Sequence, residues 1–263
     1  MYNEKARISP IFLSKVIVYI IKEATNVENK ILKPAQLLPA TVIERAKKLG
    51  SALLADGMKE LNVPGDGCMD CGINPVDVRM RAVGTAFTLE SSNGDNLPIH
   101  LAMKLLKEGY VLVIDGKGYT DKAYFGDLIA RQAQAVGAEA MVIDGYIRDR
   151  LDLTEMGYPV FARGYMQRGP GKKDPGAINC PIVCGGITVN PGDLVVGDCD
   201  GITVVPREKI DAALEAAEKK NAYEENRVAT IAKYMDTKAK GGELFNLSPA
   251  WVDEQLKELG VTL

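Results

Sequence analysis

The chain has 263 residues, 46% of them hydrophobic, and a net charge of −3 at pH 7. That length can bury one large core, and Lys and Arg are scattered rather than gathered into the basic stripe that nucleic acid requires. A small-molecule partner is the expectation, with no nucleic acid and no membrane.

Near the start, Ile11 to Ile21 is apolar but interrupted by Lys15, and it falls short of the about 20 residues that cross a bilayer. No small-residue cleavage site follows, so a signal peptide is not expected. Ile8 to Ala24 is read as a helix that packs on the core or on a neighbouring subunit. Ala40 to Met58 sets Val42, Ile43, Ala46, Leu49, Leu53 and Leu54 at helical spacing and predicts one helix. Pro64 to Pro75 is a Gly, Pro and Asp loop, Val83 to Leu89 predicts a strand, and Asn96 to Lys107 a helix.

Two short runs rich in β-branched residues follow, Val111-Leu112-Val113-Ile114-Asp115 and Ala140-Met141-Val142-Ile143-Asp144, each closed by a glycine. Both predict buried parallel strands. Between them, Tyr124 to Val136 carries Leu128, Ile129, Ala133 and Val136 on one periodicity and stops at Gly137, so the unit is strand, helix, strand. Residues 159–206 supply several short strands with turns at Gly185-Gly186, Pro191-Gly192 and Asp200-Gly201. Arg207 to Met235 is helical, and a short final helix lies near Trp251.

Five cysteines invite a metal reading, because Cys68-Met69-Asp70-Cys71 has zinc-ligand spacing. A structural zinc site wants two tight pairs, and Cys180 and Cys184 are separated by three residues in a strand-like stretch. Reduced thiols in a reducing cytoplasm are expected, and the odd count argues against a disulfide framework. A redox-sensitive Cys68 loop stays open. The lone His100 excludes a histidine-cluster metal site and argues against a serine-histidine triad. No Gly-x-Gly-x-x-Gly loop follows a strand, which weakens nucleotide binding.

The most informative spacing is Asp127, twenty residues, Arg148-Asp149, two residues, Asp152. The unit puts Gly126 and Asp127 in the first turn of its helix and Arg148 and Asp149 just past the second strand. Loops and free helix-start amides converge at that edge of a parallel sheet and favour an anion. The spacing alone leaves two readings open. Either these residues form a site, or Asp127 caps the helix and Arg148 pairs with Asp149 or Asp152 on the surface.

This arrangement resembles the signature of class II pyruvate aldolases that cleave 4-hydroxy-4-methyl-2-oxoglutarate and 4-carboxy-4-hydroxy-2-oxoadipate, which share a fold with the regulator of ribonuclease E activity A. Further matching blocks are Val83-Gly84-Thr85-Ala86-Phe87-Thr88, Asp95-Asn96-Leu97 with His100, Gly157-Tyr158-Pro159-Val160-Phe161-Ala162-Arg163-Gly164, and Val189-Asn190-Pro191-Gly192-Asp193 through Asp200-Gly201. The resemblance covers roughly residues 38–225. It implies an α/β fold, a layered β/β/α swivelling domain with N- and C-terminal helical extensions. The divisions are residues 1–37, 38–225 and 226–263.

The resemblance also implies a divalent-metal-dependent lyase on 2-oxo acids. It would pass through a pyruvate enolate by retro-aldol cleavage, oxaloacetate decarboxylation or both. Asp149 would be the metal ligand, with Asp152 orienting a metal-bound water, and the ion Mg²⁺ or Mn²⁺. Arg148 would bind the pyruvyl oxygen and stabilise the enolate. Asp127 would hold a water or move a proton, and amides near Gly126 and Leu128 would bind the carboxylate. The motif itself offers no lysine for a Schiff base.

Arg168, Lys172 and Lys173 could meet a distal carboxylate or simply be solvated, and His100 could be structural or line the substrate's edge. Glu224 and Glu225 sit where relatives lend an acidic group to a neighbouring site. A homotrimer or hexamer in the cytoplasm is the implied state. A non-catalytic ribonuclease E-binding regulator and an isomerase or epimerase on a sugar acid are the alternatives. The Cys68 to Pro75 loop and the extension before residue 34 depart from the family's pattern.

Overall fold

The computed structural model describes residues 30–261. The helix expected at Ile8 to Ala24 lies outside them. The helices are α1 (Ala40–Lys47), α2 (Ser51–Glu60), α3 (Leu97–Ala102), α4 (Asp127–Ala135), α5 (Arg150–Met156), α6 (Ile210–Ala239) and α7 (Ala250–Glu258). The strands are β1 (Asn74–Pro75), β2 (Ala82–Glu90), β3 (Tyr110–Ala123), β4 (Ala140–Ile147), β5 (Val160–Tyr165), β6 (Ala177–Ile178), β7 (Ile182–Cys184), β8 (Ile187–Val189), β9 (Leu194–Asp198) and β10 (Gly201–Val205).

The main sheet runs β1-β5-β4-β3-β2-β9-β10, with β6 added beside β2. Its centre is parallel: β2 pairs β3, β3 pairs β4 and β4 pairs β5. The turns at residues 191 and 200 reverse the chain, so β9 and β10 are antiparallel. One segment reaches both edges. Cys68 bridges Thr203 on β10, and Asn74 and Pro75 pair with β5. The 68–75 segment thereby curls the sheet toward a barrel.

Side chains alternate across the central strands, so each face builds its own core. On one face Phe87, Leu112, Ile114, Met141 and Ile143 pack against Ile99 of α3, Ile129 of α4 and Leu153 of α5. On the other, Val111, Val113, Val142 and Phe161 pack under the separate β7–β8 hairpin through Ile182, Cys184 and Val189. Hairpin, sheet and helices form the β/β/α layering. A third cluster joins Leu49, Leu54 and Met58 to Leu194, Val196 and the first turns of α6.

Several expected boundaries move. The single helix over Ala40 to Met58 is two helices, broken at Gly50, whose φ of −93° and ψ of 170° are extended. The buried Asp198 carboxylate takes over the start of α2 by accepting the Ser51 amide at 2.8 Å and the Ser51 hydroxyl at 2.6 Å. A Cβ at Gly50 would lie 3.2 Å from that carboxylate. The helix expected over Asn96 to Lys107 ends at Ala102. Strand β3 runs on to Ala123, with register irregularities between Ile114 and Ala123.

Candidate functional site

Helix α4 buries Ile129, Ala130 and Ala133, begins at an acidic residue and is closed by Gly137 at φ +88°. The chain entering it lies beside the chain leaving β4. Tyr124 donates its amide to the Tyr146 carbonyl at 2.9 Å, and Arg148 donates its amide to the Phe125 carbonyl at 3.0 Å. These bonds fix the helix start of α4 against Arg148 and Asp149.

Asp149 precedes α5 in the left-handed conformation, φ 59° and ψ 43°, a region that aspartate enters more readily than most residues with a side chain. That backbone turns its carboxylate toward α4, where Oδ2 accepts the Asp127 amide at 3.3 Å and lies 3.5 Å from Arg148 Nε. Gly126 makes the approach fit. A Cβ there would overlap Asp149 Oδ2 and lie 2.9 Å from Asp149 Cγ and 3.0 Å from Arg148 Cγ. Arg148 and Asp149 are both half-buried, and each opens to two cavities.

The first cavity, about 210 Å³, is lined by Gly126, Leu128 and Ile129 at the start of α4, by Arg148 and Asp149, and by Asn96, His100 and Lys172. Helix-start amides lack intrahelical partners and attract an oxyanion. Asn96 is buried, and its Oδ1 forms no hydrogen bond with a described residue. The second cavity, about 340 Å³, is lined by Arg148, Asp149, Arg150, Tyr165, Met166 and Gln167.

The sequence-derived residues divide accordingly. Gly126, Asp127, Leu128, Arg148 and Asp149 come together. Asp127 also pairs with Arg131, Oδ2 to Nε 3.1 Å, one turn along α4. Asp152 is exposed in the first turn of α5 and forms no hydrogen bond or ion pair with a described residue. Lys172 and His100 both reach the first cavity, and both are exposed. Glu224 and Glu225 are exposed on α6. Arg150 and Tyr165 were not singled out from sequence, and nothing in their spacing marks them.

A divalent ion would find a sparse donor set here: the Asp149 carboxylate, partly exposed and held by one long amide bond, with Asp127 beside it. That suits Mg²⁺, which keeps several waters and takes one or two protein carboxylates. The tighter acidic group, Asp198, Cys199 and Asp200, lies at the β9–β10 turn. Asp198 there already accepts Ser51 and the Asp200 amide at 3.0 Å, so it works as a turn brace.

A second charged row crosses four strands on the hairpin face. Glu90 pairs in register with Asp115, and Asp144 and Arg163 occupy the next positions on β4 and β5. Arg163 bridges Asp144 and Asp70, the latter at 2.8 Å, while Lys117 bridges Asp115 and Glu90 at 2.5 and 2.8 Å. The Gly185 amide donates to Asp144 at 2.9 Å. The Asp144 hydrogen bond holds the Arg163 guanidinium well above its ordinary range. Each charge is paired, so the row is a brace between sheet and loop. Cys184 lies buried beneath it, its thiol pushed up by burial, and all five cysteines are free thiols.

The model of the RraA-like family, Aldolase/RraA, matches residues 51–204, and the chain belongs to this family. A Halalkalibacterium halodurans protein named "Putative 4-hydroxy-4-methyl-2-oxoglutarate aldolase" is 39% identical over 160 residues, covering 61% of this chain and 76% of that one. The structure of an uncharacterized Pseudomonas syringae protein aligns at TM-score 0.66 and 28% identity, covering 76% of this chain and 96% of that one. Streptomyces coelicolor RraAS2, described as an unusual member of the RNase ES inhibitor RraA protein family, aligns at TM-score 0.67 and 25% identity, covering 73% and 98%. No described helix is long and apolar enough to cross a membrane.

Proposed function

We propose that the chain is a divalent-metal-dependent carbon–carbon lyase that cleaves 2-oxo acids through a pyruvate enolate. The supporting observation is the convergence at Gly126 of the α4 helix start, whose Asp127 amide reaches Asp149, with the Arg148 guanidinium and the Asp149 carboxylate on one cavity. In retro-aldol cleavage of 4-hydroxy-4-methyl-2-oxoglutarate, the C3–C4 bond breaks and its electron pair moves into the pyruvyl half as the enolate. The 4-hydroxyl gives up its proton as the departing carbonyl forms, and protonation at C3 then yields pyruvate. In oxaloacetate decarboxylation, CO₂ departs and leaves the same enolate.

Bound Mg²⁺ or Mn²⁺ supplies Lewis acidity toward the 2-oxo oxygen. Asp149 would hold that ion, and Asp152, exposed in the first turn of α5, would act on it through a bound water. The α4 amides hold the pyruvyl carboxylate, and Arg148 directs N–H donors at the oxygen on which charge develops. Asp127 either receives the 4-hydroxyl proton or holds the water that does. Lys172 reaches the cavity, but an exposed lysine lacks the desolvation that activates a Schiff-base amine. Leu128 and Leu151 stand 75% and 69% exposed near the site, which fits the expected trimer or hexamer with its sites at subunit boundaries.

The test is pyruvate release from oxaloacetate and from 4-hydroxy-4-methyl-2-oxoglutarate with Mg²⁺ or with EDTA. Turnover that requires metal supports the lyase, and the ratio of the two rates ranks the reactions. No release from either substrate by folded, metal-loaded protein refutes it and turns attention to a sugar-acid isomerase or a ribonuclease-binding regulator.

A further inference from the structure

Arg148 and Asp149 stand between two cavities, not at the end of one. A reaction that splits a carbon–carbon bond has two fragments to hold. The first cavity carries the α4 amides that suit the pyruvyl carboxylate. The second is walled by β5, whose Tyr165 pairs with Ile147 and whose following amide, Met166, donates to the Ile147 carbonyl at 2.9 Å. Its position is therefore fixed relative to Arg148.

Its charge is unbalanced. Arg148 and Arg150 face it with only Asp149 in opposition, and Arg150 forms no ion pair with a described residue. Arg150 is the first residue of α5, the end at which the helix dipole disfavours a cation. Its guanidinium lies over the Tyr165 ring, 4.7 Å from the centroid. Stacking of this kind fixes the direction of the guanidinium while leaving its edge donors free. Arg150 is exposed, so a cation placed against the dipole, held by an aromatic ring and lacking a carboxylate in the described chain, is open to an anion that enters the cavity.

We infer that Arg150, stacked on Tyr165, receives the second carboxylate of a 2-oxo dicarboxylate, the one carried by the departing fragment. This rests on the lyase reading and adds to it a specificity residue for aldol substrates whose leaving carbonyl compound is itself a 2-oxo acid. Arg150 acts in specificity, while the bond-breaking groups remain those around Asp149.

The test compares 4-hydroxy-4-methyl-2-oxoglutarate with 4-hydroxy-2-oxopentanoate, which has the same pyruvyl half but leaves as acetaldehyde. Arg150→Met removes the charge and keeps an unbranched stem. Losing a charge-assisted pair should lower kcat/KM for the dicarboxylate by about tenfold or more, mainly through KM. The monocarboxylate should change by less than about twofold, and Arg150→Lys should recover part of the loss. Exchange of the pyruvate methyl protons with D₂O reads the pyruvyl half alone and should be unaltered by Arg150→Met. Equal loss on both aldol substrates, or no loss on either, overturns the inference. Absence of exchange and of cleavage in the unaltered protein overturns the lyase reading, and this assignment with it.

Discussion

Gly126→Ala changes one hydrogen to a methyl group and removes no functional group. The backbone there, φ −143° and ψ −156°, suits alanine, so the effect is steric. The new Cβ would overlap Asp149 Oδ2 and lie 2.9 Å from Asp149 Cγ, whereas relaxed carbon contacts begin near about 3.5 Å. Asp149 Cγ must therefore recede by roughly 0.6 Å, and its Oδ2 by more. The bond to the Asp127 amide, already 3.3 Å long, breaks. Displacements of about 1 Å at a reacting centre cost on the order of 10²-fold in rate, equivalent to about 2.7 kcal/mol. Steady-state pyruvate release with Mg²⁺ measures it, and urea unfolding checks that overpacking costs no more than about 1–3 kcal/mol. A Gly126→Ala protein with unaltered kcat would refute the claim that this contact holds the carboxylate in its working position.

Asp149→Ala should abolish metal-dependent turnover while the protein still folds, with a modest fall in the midpoint of urea unfolding because alanine is strained at this left-handed φ; activity retained with metal present would remove Asp149 as the ligand. Asp144→Ala strips the buried end of the Arg163 bridge and the acceptor for the Gly185 amide, and should destabilise by about 3 kcal/mol. A urea-derived loss under about 1 kcal/mol would show that Asp70 alone satisfies Arg163. Burial pushes the Tyr124 hydroxyl, which donates to the Gly116 carbonyl at 2.6 Å, up to about 12 from an ordinary 10.0. Between those values the unfolded chain has lost a proton that the folded chain retains, so stability falls as pH rises. Tyr124→Phe should flatten the decline of Tm over that window, with Tyr158, also raised by burial, leaving a residual slope. An unchanged slope would mean that Tyr124 does not titrate with unfolding.

The strand, helix, strand centre was legible because buried parallel strands need continuous β-branched runs and an amphipathic helix needs its periodicity; both depend on local sequence. Features decided by distant partners were not. Gly50 looks like a tolerated helix glycine until Asp198, far along the chain, accepts the Ser51 amide. The extension of β3 past Gly116 depends on pairing of Tyr119 and Ala123 with Gly145 and Tyr146 of β4. Motif spacing brought Gly126, Asp127, Arg148 and Asp149 to one place, since one supersecondary unit carries all four. It could not show that Asp149 adopts a left-handed backbone or that Gly126 is needed for its approach. Arg150 and Tyr165 lie at the far ends of consecutive elements, α5 and β5, and meet only when the helix packs back along the strand, so their pairing has no sequence signature.

The 68–75 segment also has a consequence for the outer strands. An open sheet ends in rows of unpaired amides and carbonyls that another chain can extend. Here one end is a two-residue strand whose Pro75 has no amide to donate. At the other end, β10 is met by Cys68, and Met69 donates to the Ile202 carbonyl at 2.9 Å. Neither border offers a long template for strand addition. At these two borders, among the described residues, copies of this chain would meet through side chains, and the same strap that curls the sheet guards its ends against strand-by-strand growth.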